Sequence, residues 1–289
     1  MLGPVRIFAL TVATMVAFAA NSLLCRAALR GGAIDAASFT AIRLVSGALV
    51  LLPLTRLRSR RGTAPGDARG SGGSWGSALA LAVYAVTFSF AYLRIGASTG
   101  ALLLFGSVQL TMIAGGLVRG EHPTPRQWVG FSIAASGMVM INLPSLDAPP
   151  PAGAALMLAA GVAWGVYSLR GRGATRPLAT TAGNFARSLP IAAGLAALAV
   201  ATSAHVTARG VILAVASGGV ASGLGYGLWY TVLPSLGAAR AAIVQLSVPV
   251  IAAAGAITVL DEPLHRHVAL GGIVILDGLA LALWRRKAP

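Results

Sequence analysis

Long apolar runs, separated by short polar stretches, follow one another along the whole chain. A helix needs about 20 apolar residues to cross about 30 Å of hydrocarbon, and most of the runs are that long. In lipid such a run must be helical, because irregular backbone would leave peptide groups without hydrogen bonds. The pattern therefore predicts an all-α integral membrane protein with ten transmembrane helices, at about 5–24, 36–55, 75–93, 97–118, 126–143, 153–170, 179–201, 208–233, 237–260 and 264–284.

The last two runs are joined only by Asp261, Glu262 and Pro263. Proline cannot extend the first helix and suits the first turn of the second, so we predict a tight hairpin there. The same plan occurs earlier in the chain, 141 positions before. That shift places Gly96, Ala97, Ala101, Val118, Glu121, Gly130 and Gly137 on Gly237, Ala238, Ala242, Val259, Glu262, Gly271 and Gly278.

This internal similarity predicts two five-helix repeats, 1–147 and 148–289, within one membrane domain. Because five is odd, the second repeat must enter the membrane from the opposite side. Two inverted repeats are typical of secondary transporters, whose substrate site lies between the halves near the middle of the bilayer.

The first run also has features of a signal peptide, with Arg6 before it and Ala17-Phe18-Ala19 as a cleavage motif. We interpret it instead as a transmembrane helix, because the apolar run continues to Leu24. A shift of 146 positions also places Ala17, Ser22 and Leu23 on Ala163, Ser168 and Leu169 of the sixth run.

Composition agrees with a membrane protein, since 56% of residues are hydrophobic and 10% are charged, against about 25% charged in soluble domains. The net charge of +15 would suggest a nucleic-acid partner in a soluble chain. Here the basic residues stand at helix ends, so the lipid bilayer is the expected partner and nucleic acid is not. Most of them fall on one side if both termini are cytoplasmic, with the longest connector, 56–74, on the same side as a flexible loop.

Two stretches carry a family resemblance: Pro249 to Leu264, with a proline, a small-residue helix and an acidic corner, and the glycine-rich 271–278. Together with Arg43 and Arg187 in the second helix of each repeat, they resemble the EamA-type branch of the drug/metabolite transporter superfamily. The resemblance covers essentially the whole chain. It implies a bacterial inner-membrane exporter of amino acids and other small metabolites, which works by alternating access without a cofactor.

The first half departs from the family pattern. Val108 stands where the second half has Pro249, and Arg119-Gly120-Glu121 replaces Leu260-Asp261-Glu262. This departure hardly affects the expected fold, but it makes the fourth and ninth helices unequal in detail.

A cavity between the halves should be lined by polar and aromatic groups that would be unfavourable against lipid. Such groups recur at helical spacing on the first, third, sixth and eighth helices, and ordinary packing or an interfacial aromatic belt is the alternative explanation. The substrate-binding candidates of this kind are Phe18, Asn21, Tyr84, Phe88, Trp164, Tyr226 and Tyr230.

Five further candidates are amide or charged side chains inside predicted helices. Gln109 and Gln245 can form interhelical hydrogen bonds or bind substrate. Arg43 and Arg187 lie about 12 Å into their helices, where they can bond between repeats or bind a substrate carboxylate. Asp277 is the one acid well inside a helix, and it is a candidate for proton coupling or for pairing with an arginine.

The sequence gives weaker support for other functions. Residues 96–100 match the G-x-S-x-G motif of hydrolases but lack its strand–turn–helix setting, so no enzyme is predicted. The histidines suggest no metal site. A carrier of another solute, such as a nucleotide-sugar, a sugar phosphate or a drug-like compound, remains open, as does a channel or a receptor. We expect a monomer.

Overall fold

The computed structural model describes residues 3–60, 72–142, 149–202, 205–259 and 265–283. These residues are helical almost throughout, in agreement with the all-α prediction. In chain order the elements are α1 (Pro4–Arg30), α2 (Ala36–Arg60), α3 (Trp75–Tyr92), α4 (Ala97–Val118), α5 (Pro125–Asn142), α6 (Pro151–Gly171), α7 (Pro177–Ala201), α8 (Ala208–Val215), a π-helical segment (Ala216–Leu224), α9 (Gly225–Gln245), α10 (Ser247–Val259) and α11 (Arg266–Leu283).

Eight helical stretches of the described residues are long and apolar enough to cross a membrane. One of them, Ala208–Gln245, contains a break at Gly237, whose φ of 74° and ψ of 168° are not helical. The break ends one crossing and begins the next, residues 238–259. With α5 as the remaining crossing, the predicted ten helices are confirmed.

One predicted boundary differs from the structure, and two others cannot be compared with it. The first helix continues to Arg30 rather than ending near residue 24, so Arg26 belongs to a helix and not to a loop. The Asp261–Pro263 corner and the boundary between residues 147 and 148 lie outside the described residues. Residues 61–71, which make up most of the long connector, also lie outside the described residues. The tight hairpin, the boundary between the repeats and the flexible connector therefore stay predictions.

Glycine pairs join α5 to α11, the last helices of the two repeats. A Cβ on Gly130 would lie 2.5 Å from the carbonyl oxygen of Gly278, and one on Gly137 would lie 2.6 Å from that of Gly271. Under the shift of 141 positions, Gly130 is equivalent to Gly271 and Gly137 to Gly278. Gly130 therefore contacts the counterpart of Gly137, and Gly137 contacts the counterpart of Gly130. Such reciprocal contacts are the signature of two-fold symmetry. Since the paired residue numbers run in opposite directions, the helices are antiparallel, as inverted repeats require.

The same symmetry relates the other helices. α2 packs against α7, its counterpart, while α6 packs against α3 and α4. Correspondingly, α1 packs against α8, the π-helical segment, α9 and α10. The two repeats therefore exchange their first helices, and α1 and α6 lie at the centre of the bundle.

The π-helical segment gives the second half a feature that α3, its counterpart, lacks. Ser217 and Ser222 both donate hydrogen bonds to Oδ1 of Asn21, at 2.6 and 3.3 Å. In an α-helix, side chains five residues apart point about 140° away from each other. The wider turn of a π-helix brings them to the same side. Gly218 lets this segment approach α2, since a Cβ there would lie 2.1 Å from the carbonyl oxygen of Arg43.

Contacts between the halves occur at both ends of the bundle. At one end, the Glu121 carboxylate pairs with Arg172 and accepts a hydrogen bond from Ala238 N at 2.9 Å. At the other end, Ile34 and Val206 form an antiparallel β-bridge. We call these the Glu121 end and the Ile34 end. The arginine distribution predicts that the Glu121 end faces the cytoplasm.

Candidate functional site

A small cavity lies between the two halves at the centre of the bundle. Its volume is about 20 Å³, which is enough for about one water molecule. An amino acid does not fit into this space without movement of the surrounding helices or side chains. The lining residues are Phe18, Asn21, Ser22, Tyr84, Leu104, Phe105, Val108, Trp164, Tyr226, Gln245 and Val248.

Equivalent residues of the two repeats meet at this cavity. Phe18 and Trp164, 146 positions apart, form an edge-to-face contact with ring centroids 5.1 Å apart. Tyr84 and Tyr226, 142 positions apart, approach through their hydroxyl groups, and Tyr226 donates to Tyr84 at 3.5 Å. The cavity therefore lies close to the pseudo-two-fold axis, and both halves build it.

Arg43 is the charged group beside the cavity, and only 1% of it is exposed. Its Nε donates to the Ser222 hydroxyl at 3.0 Å, and its Nη2 donates to the hydroxyls of Tyr226 at 2.7 Å and Tyr84 at 3.4 Å. The guanidinium also lies over the rings of Tyr84 and Phe88, 5.3 and 5.8 Å from their centroids.

The charge of Arg43 is incompletely compensated. Its Nη1 has no hydrogen-bond partner, and within the described ranges no carboxylate pairs with the guanidinium. A buried cation in a membrane protein normally has a counter-charge, since an isolated charge in a low-dielectric interior is costly. The arrangement is therefore suited to binding an anion that enters the cavity, past the two tyrosine hydroxyls.

The indole of Trp164 is held in place by Gln245. Trp164 Nε1 donates to Gln245 Oε1 at 2.7 Å, and the amide nitrogen of Gln245 donates to Ala241 O at 3.0 Å and to the sulfur of Met112 at 3.1 Å. Gln109, the other predicted glutamine, is buried outside the cavity lining. Its two amide atoms lack hydrogen-bond partners in the part of the chain that the structure describes.

Two predicted aromatic residues lie one layer away from the cavity, on opposite sides of it. Tyr230 packs on Tyr167 with centroids 4.8 Å apart and donates to the carbonyl oxygen of Tyr167 at 2.9 Å. Phe88, its counterpart in the first repeat, packs on Tyr84 at 5.4 Å and Tyr92 at 4.8 Å. Both side chains are fully buried, and they support the lining residues rather than bound the cavity.

The structure does not bring Arg187 or Asp277 to the cavity. Arg187 Nη1 donates to the carbonyl oxygens of Gly72, at 2.9 Å, and Gly183, at 3.0 Å. It thereby ties α7 to the start of α3. Asp277 is exposed on α11, and the expected pairing with an arginine is not found among the described residues. Substrate binding by Arg187 and proton coupling by Asp277 stay predictions without support from geometry.

Sequence reasoning did not single out Tyr167, Ser217 or Ser222. The sequence did contain a signal for Tyr167, because this residue follows Trp164 by about one helical turn and is equivalent to Asn21 under the shift of 146 positions. The serines gave no such signal, because their common direction depends on the π-helical segment.

Comparison with known proteins agrees with this architecture. A family model described as the EamA-like transporter family matches residues 6–143 and 151–284. An uncharacterized protein of Pseudomonas aeruginosa is 50% identical over 278 residues, covering 96% of this chain and 94% of the relative. A protein of Escherichia coli K12 named "Probable amino-acid metabolite efflux pump" is 26% identical over 230 residues, covering 73% of this chain and 77% of the relative.

A solved crystal structure is similar along the whole chain. It superimposes with a TM-score of 0.77 and covers 97% of this chain and 98% of its own. Because the two sequences are only 17% identical, this likeness shows the shared fold alone.

Proposed function

The chain belongs to the EamA-like transporter family, and on this premise we propose that it exports small carboxylate-bearing metabolites, above all amino acids of broad specificity, by alternating access. It is a multi-pass membrane transporter and not an enzyme. The name of the Escherichia coli relative supports amino acids as the substrate class. We further propose that it resides in a bacterial inner membrane with both termini in the cytoplasm, from the arginine distribution.

The observation that carries the proposal is the incompletely bonded guanidinium of Arg43. A substrate carboxylate is an acceptor that can take Nη1 and share Nη2 with the tyrosine hydroxyls, and paired bonds between arginine and carboxylate are strong and directional. The substrate ammonium group would then face the rings of Trp164, Phe18 and Tyr226, where cation–π contact is favourable.

The closed state of the cavity supports alternating access. A 20 Å³ cavity cannot hold an amino acid, and contacts between the halves are present at both ends. Substrate can enter only when the contacts at one end separate. In inverted repeats, each half can adopt the arrangement of the other, so opening at the Glu121 end and opening at the Ile34 end are equivalent motions.

Counterflow in liposomes tests the proposal. Purified protein is reconstituted, the vesicles are loaded with an unlabelled amino acid, and uptake of the labelled amino acid is followed. We expect saturable uptake that internal amino acid accelerates and that a panel of other amino acids inhibits. Uptake linear in concentration would indicate a channel, and the absence of uptake would indicate a receptor.

The panel also tests the solute class. Arg43 could bind a phosphate as well as a carboxylate, so nucleotide-sugars and sugar phosphates are included as competitors. Drug-like cations are included as the remaining alternative solute class. Inhibition by a phosphate-bearing solute without inhibition by amino acids would overturn the proposed substrate. Reporter fusions at each terminus test the orientation.

A further inference from the structure

A groove of about 580 Å³ lies on the outer surface of the bundle, between α1, α9, α10 and α11. Its volume is in the range of about 300–1,000 Å³ that ligand sites in proteins occupy, and none of its lining residues lines the central cavity. It is the space left between two packed pairs of helices, because α11 packs against α5 while α1 packs against α10. We call it the Arg240 groove, and its lining residues are Pro4, Ile7, Phe8, Thr11, Val12, Met15, Ser235, Leu236, Arg240, Val244, Ser247, Val250, Ile251, Leu276, Leu279 and Leu283.

Three stripes of side chains form the walls of the groove. One face of α1 contributes within residues 4–15, α9 and α10 contribute within 235–251, and α11 contributes within 276–283, each at helical spacing. Large apolar side chains in these walls stay exposed, with Phe8 at 71% and Leu276 at 51%. In a membrane protein such a surface faces lipid, so acyl chains have direct access to the groove.

The groove reaches from the Glu121 end to about the middle of the bilayer. Arg240 marks the Glu121 end, because it follows Ala238 by two residues, and Ala238 N donates to the Glu121 carboxylate. From Arg240 to Ile251 the chain advances by 11 residues, or about 16 Å of helix. This length is about half of the ~30 Å thickness of the hydrocarbon core, which is the depth that the acyl chains of one leaflet occupy.

The charge of the groove is confined to the Glu121 end. Deeper in the groove, the hydroxyls of Thr11 and Ser247 donate to carbonyl oxygens of their own helices, each at 2.7 Å. Arg240 is the one charged residue of the lining. It is half-buried, and no carboxylate or other acceptor among the described residues engages it. The groove therefore combines an apolar floor with a single cation at its outer end.

The other half of the protein lacks this cation. Under the shift of 141 positions, Arg240 is equivalent to Thr99, which carries no charge. The repeated fold therefore does not require an arginine at this position. Charged residues within transmembrane segments are rare and usually functional, so Arg240 points to a ligand that is present on this side only.

We propose that the Arg240 groove binds an anionic phospholipid from the leaflet at the Glu121 end. One acyl chain lies along the apolar floor, and the phosphate binds the guanidinium of Arg240, whose planar fork suits paired hydrogen bonds to phosphate oxygens. The long arginine side chain extends toward the headgroup region to reach it. A small zwitterionic metabolite does not match this site, because the lining contains no acid for its ammonium group. The inference does not depend on which solute is transported.

Lipid binding to the purified protein tests the site. Delipidated protein in detergent is titrated with phosphatidylglycerol or with phosphatidylcholine of the same acyl chains, and bound lipids are counted by native mass spectrometry. We expect one phosphatidylglycerol to bind at least about fivefold more tightly than phosphatidylcholine, as the attraction of one basic residue for an anionic lipid would give. It should also raise the Tm, because it contacts both α1 and α10. Equal affinities for the two lipids would overturn the proposal.

Arg240→Gln tests the headgroup contact, because it removes the charge and keeps a polar side chain. We expect the affinity for phosphatidylglycerol to fall to that for phosphatidylcholine. Arg126→Gln is the matched control, since Arg126 is an exposed cation near the same end, on α5, and is not part of the groove lining. It should leave both affinities within twofold of wild type. Equal losses in the two variants would show that general surface charge attracts the lipid, and would overturn the site.

Val12→Trp tests the acyl-chain contact by filling the floor of the groove. Val16→Trp is its control, because Val16 is exposed to a similar extent on the same helix, 49% against 44% for Val12, but lies outside the groove lining. We expect Val12→Trp to weaken phosphatidylglycerol binding about tenfold, as exclusion of about two methylene groups would do, and Val16→Trp to stay within twofold of wild type. The Tm of each variant without lipid verifies that it is folded. Unchanged binding in Val12→Trp would place the lipid elsewhere and overturn the proposal.

Discussion

Arg43 and Arg187 occupy equivalent positions in the two repeats, 144 residues apart, yet their surroundings differ. Arg43 is buried and bonds only to hydroxyl groups, with Nη1 left over. Arg187 is half-buried and donates to backbone carbonyl oxygens before α3 and within α7. The two repeats thus share the arginine, but its hydrogen-bond partners differ between them. Arg43 bonds to two tyrosines that line the central cavity, while Arg187 joins a loop to a helix.

The neighbouring helices explain the difference. Arg43 finds Ser222 on the π-helical segment, whereas the residue equivalent to Ser222 in α3 is Ala80, which has no hydroxyl. Arg187 lies near the start of α3, where the carbonyl oxygen of Gly72 is free to accept. The chemistry of each arginine is therefore set by the partner helix.

The largest expected effect comes from Arg43→Gln. It removes the charge and three hydrogen bonds, to the hydroxyls of Tyr84, Tyr226 and Ser222, and hydrogen bonds to charged groups contribute about 1.5–3 kcal/mol each. We expect at least about a 100-fold loss in kcat/KM for exchange. Arg187→Gln is expected to lower thermal stability while the KM stays near wild type. Equal losses of transport in both variants would contradict the contrast between the two arginines.

Trp164→Phe tests whether Trp164 in the cavity wall contributes to substrate binding, as we propose for Arg43. The change keeps an aromatic ring but removes the hydrogen bond to Gln245, which frees both side chains to adopt other positions. We expect about a tenfold rise in the KM with little change in expression. The KM is measured in the same counterflow assay, and a wild-type value would remove Trp164 from the site.

Ser222→Ala sharpens the comparison at the π-helical segment, because it makes this position identical to Ala80 of the first repeat. The Arg43 guanidinium loses its Nε acceptor, and we expect about a fivefold rise in the KM. Ser217→Ala is the control, since Ser217 bonds to Asn21 but not to Arg43, and it should have the smaller effect. The reverse order would contradict the role assigned to Ser222.

The smallest expected effect concerns the Glu121 end, away from both arginines. Burial alone would raise the pKa of Glu121, but the hydrogen bond from Ala238 N and the pairing with Arg172 outweigh it, so its pKa lies below the ordinary 4.5. A lowered pKa means that this carboxylate stabilises the closed end above about pH 4.5, and that the stabilisation is lost as the pH falls through the lowered value.

The corresponding measurement is the thermal stability of Glu121→Gln against pH. Since Glu121 is 33% exposed, solvent screening limits the difference from wild type to less than about 1 kcal/mol at neutral pH. We expect that difference to shrink as the pH falls below about 4.5 and through the lowered pKa of Glu121. A difference independent of pH would show that the carboxylate charge is not what holds this end.

The sequence was sufficient for the architecture, and for much of the cavity. Apolar runs and the repeat predict ten helices in two inverted halves, because lipid permits little else. Phe18, Asn21, Tyr84, Trp164, Tyr226 and Gln245 were all predicted and all line the cavity. Their helical spacing placed each group on one face, and polarity indicated which face avoids lipid.

Rotation about the helix axis limited the remaining predictions. Asp277 and Arg187 lie deep in their helices by residue count, but depth along a helix does not say which way a side chain points, and packing sends Asp277 outward. Similarly, the common direction of Ser217 and Ser222 follows from a local change in helical period. A glycine-rich run such as 218–227 is compatible with either period, so its sequence alone leaves the choice open.

The glycine pairs between α5 and α11 also restrict how the molecule can move. Backbones in direct contact at two points seven residues apart along each helix have no side chains between them to compress. The two helices can pivot against each other there, but they cannot come closer, and drawing apart would open a void in the bilayer. In the proposed alternating-access mechanism, we therefore expect this contact to act as a pivot and the larger displacements to occur at the opposite edge of the bundle.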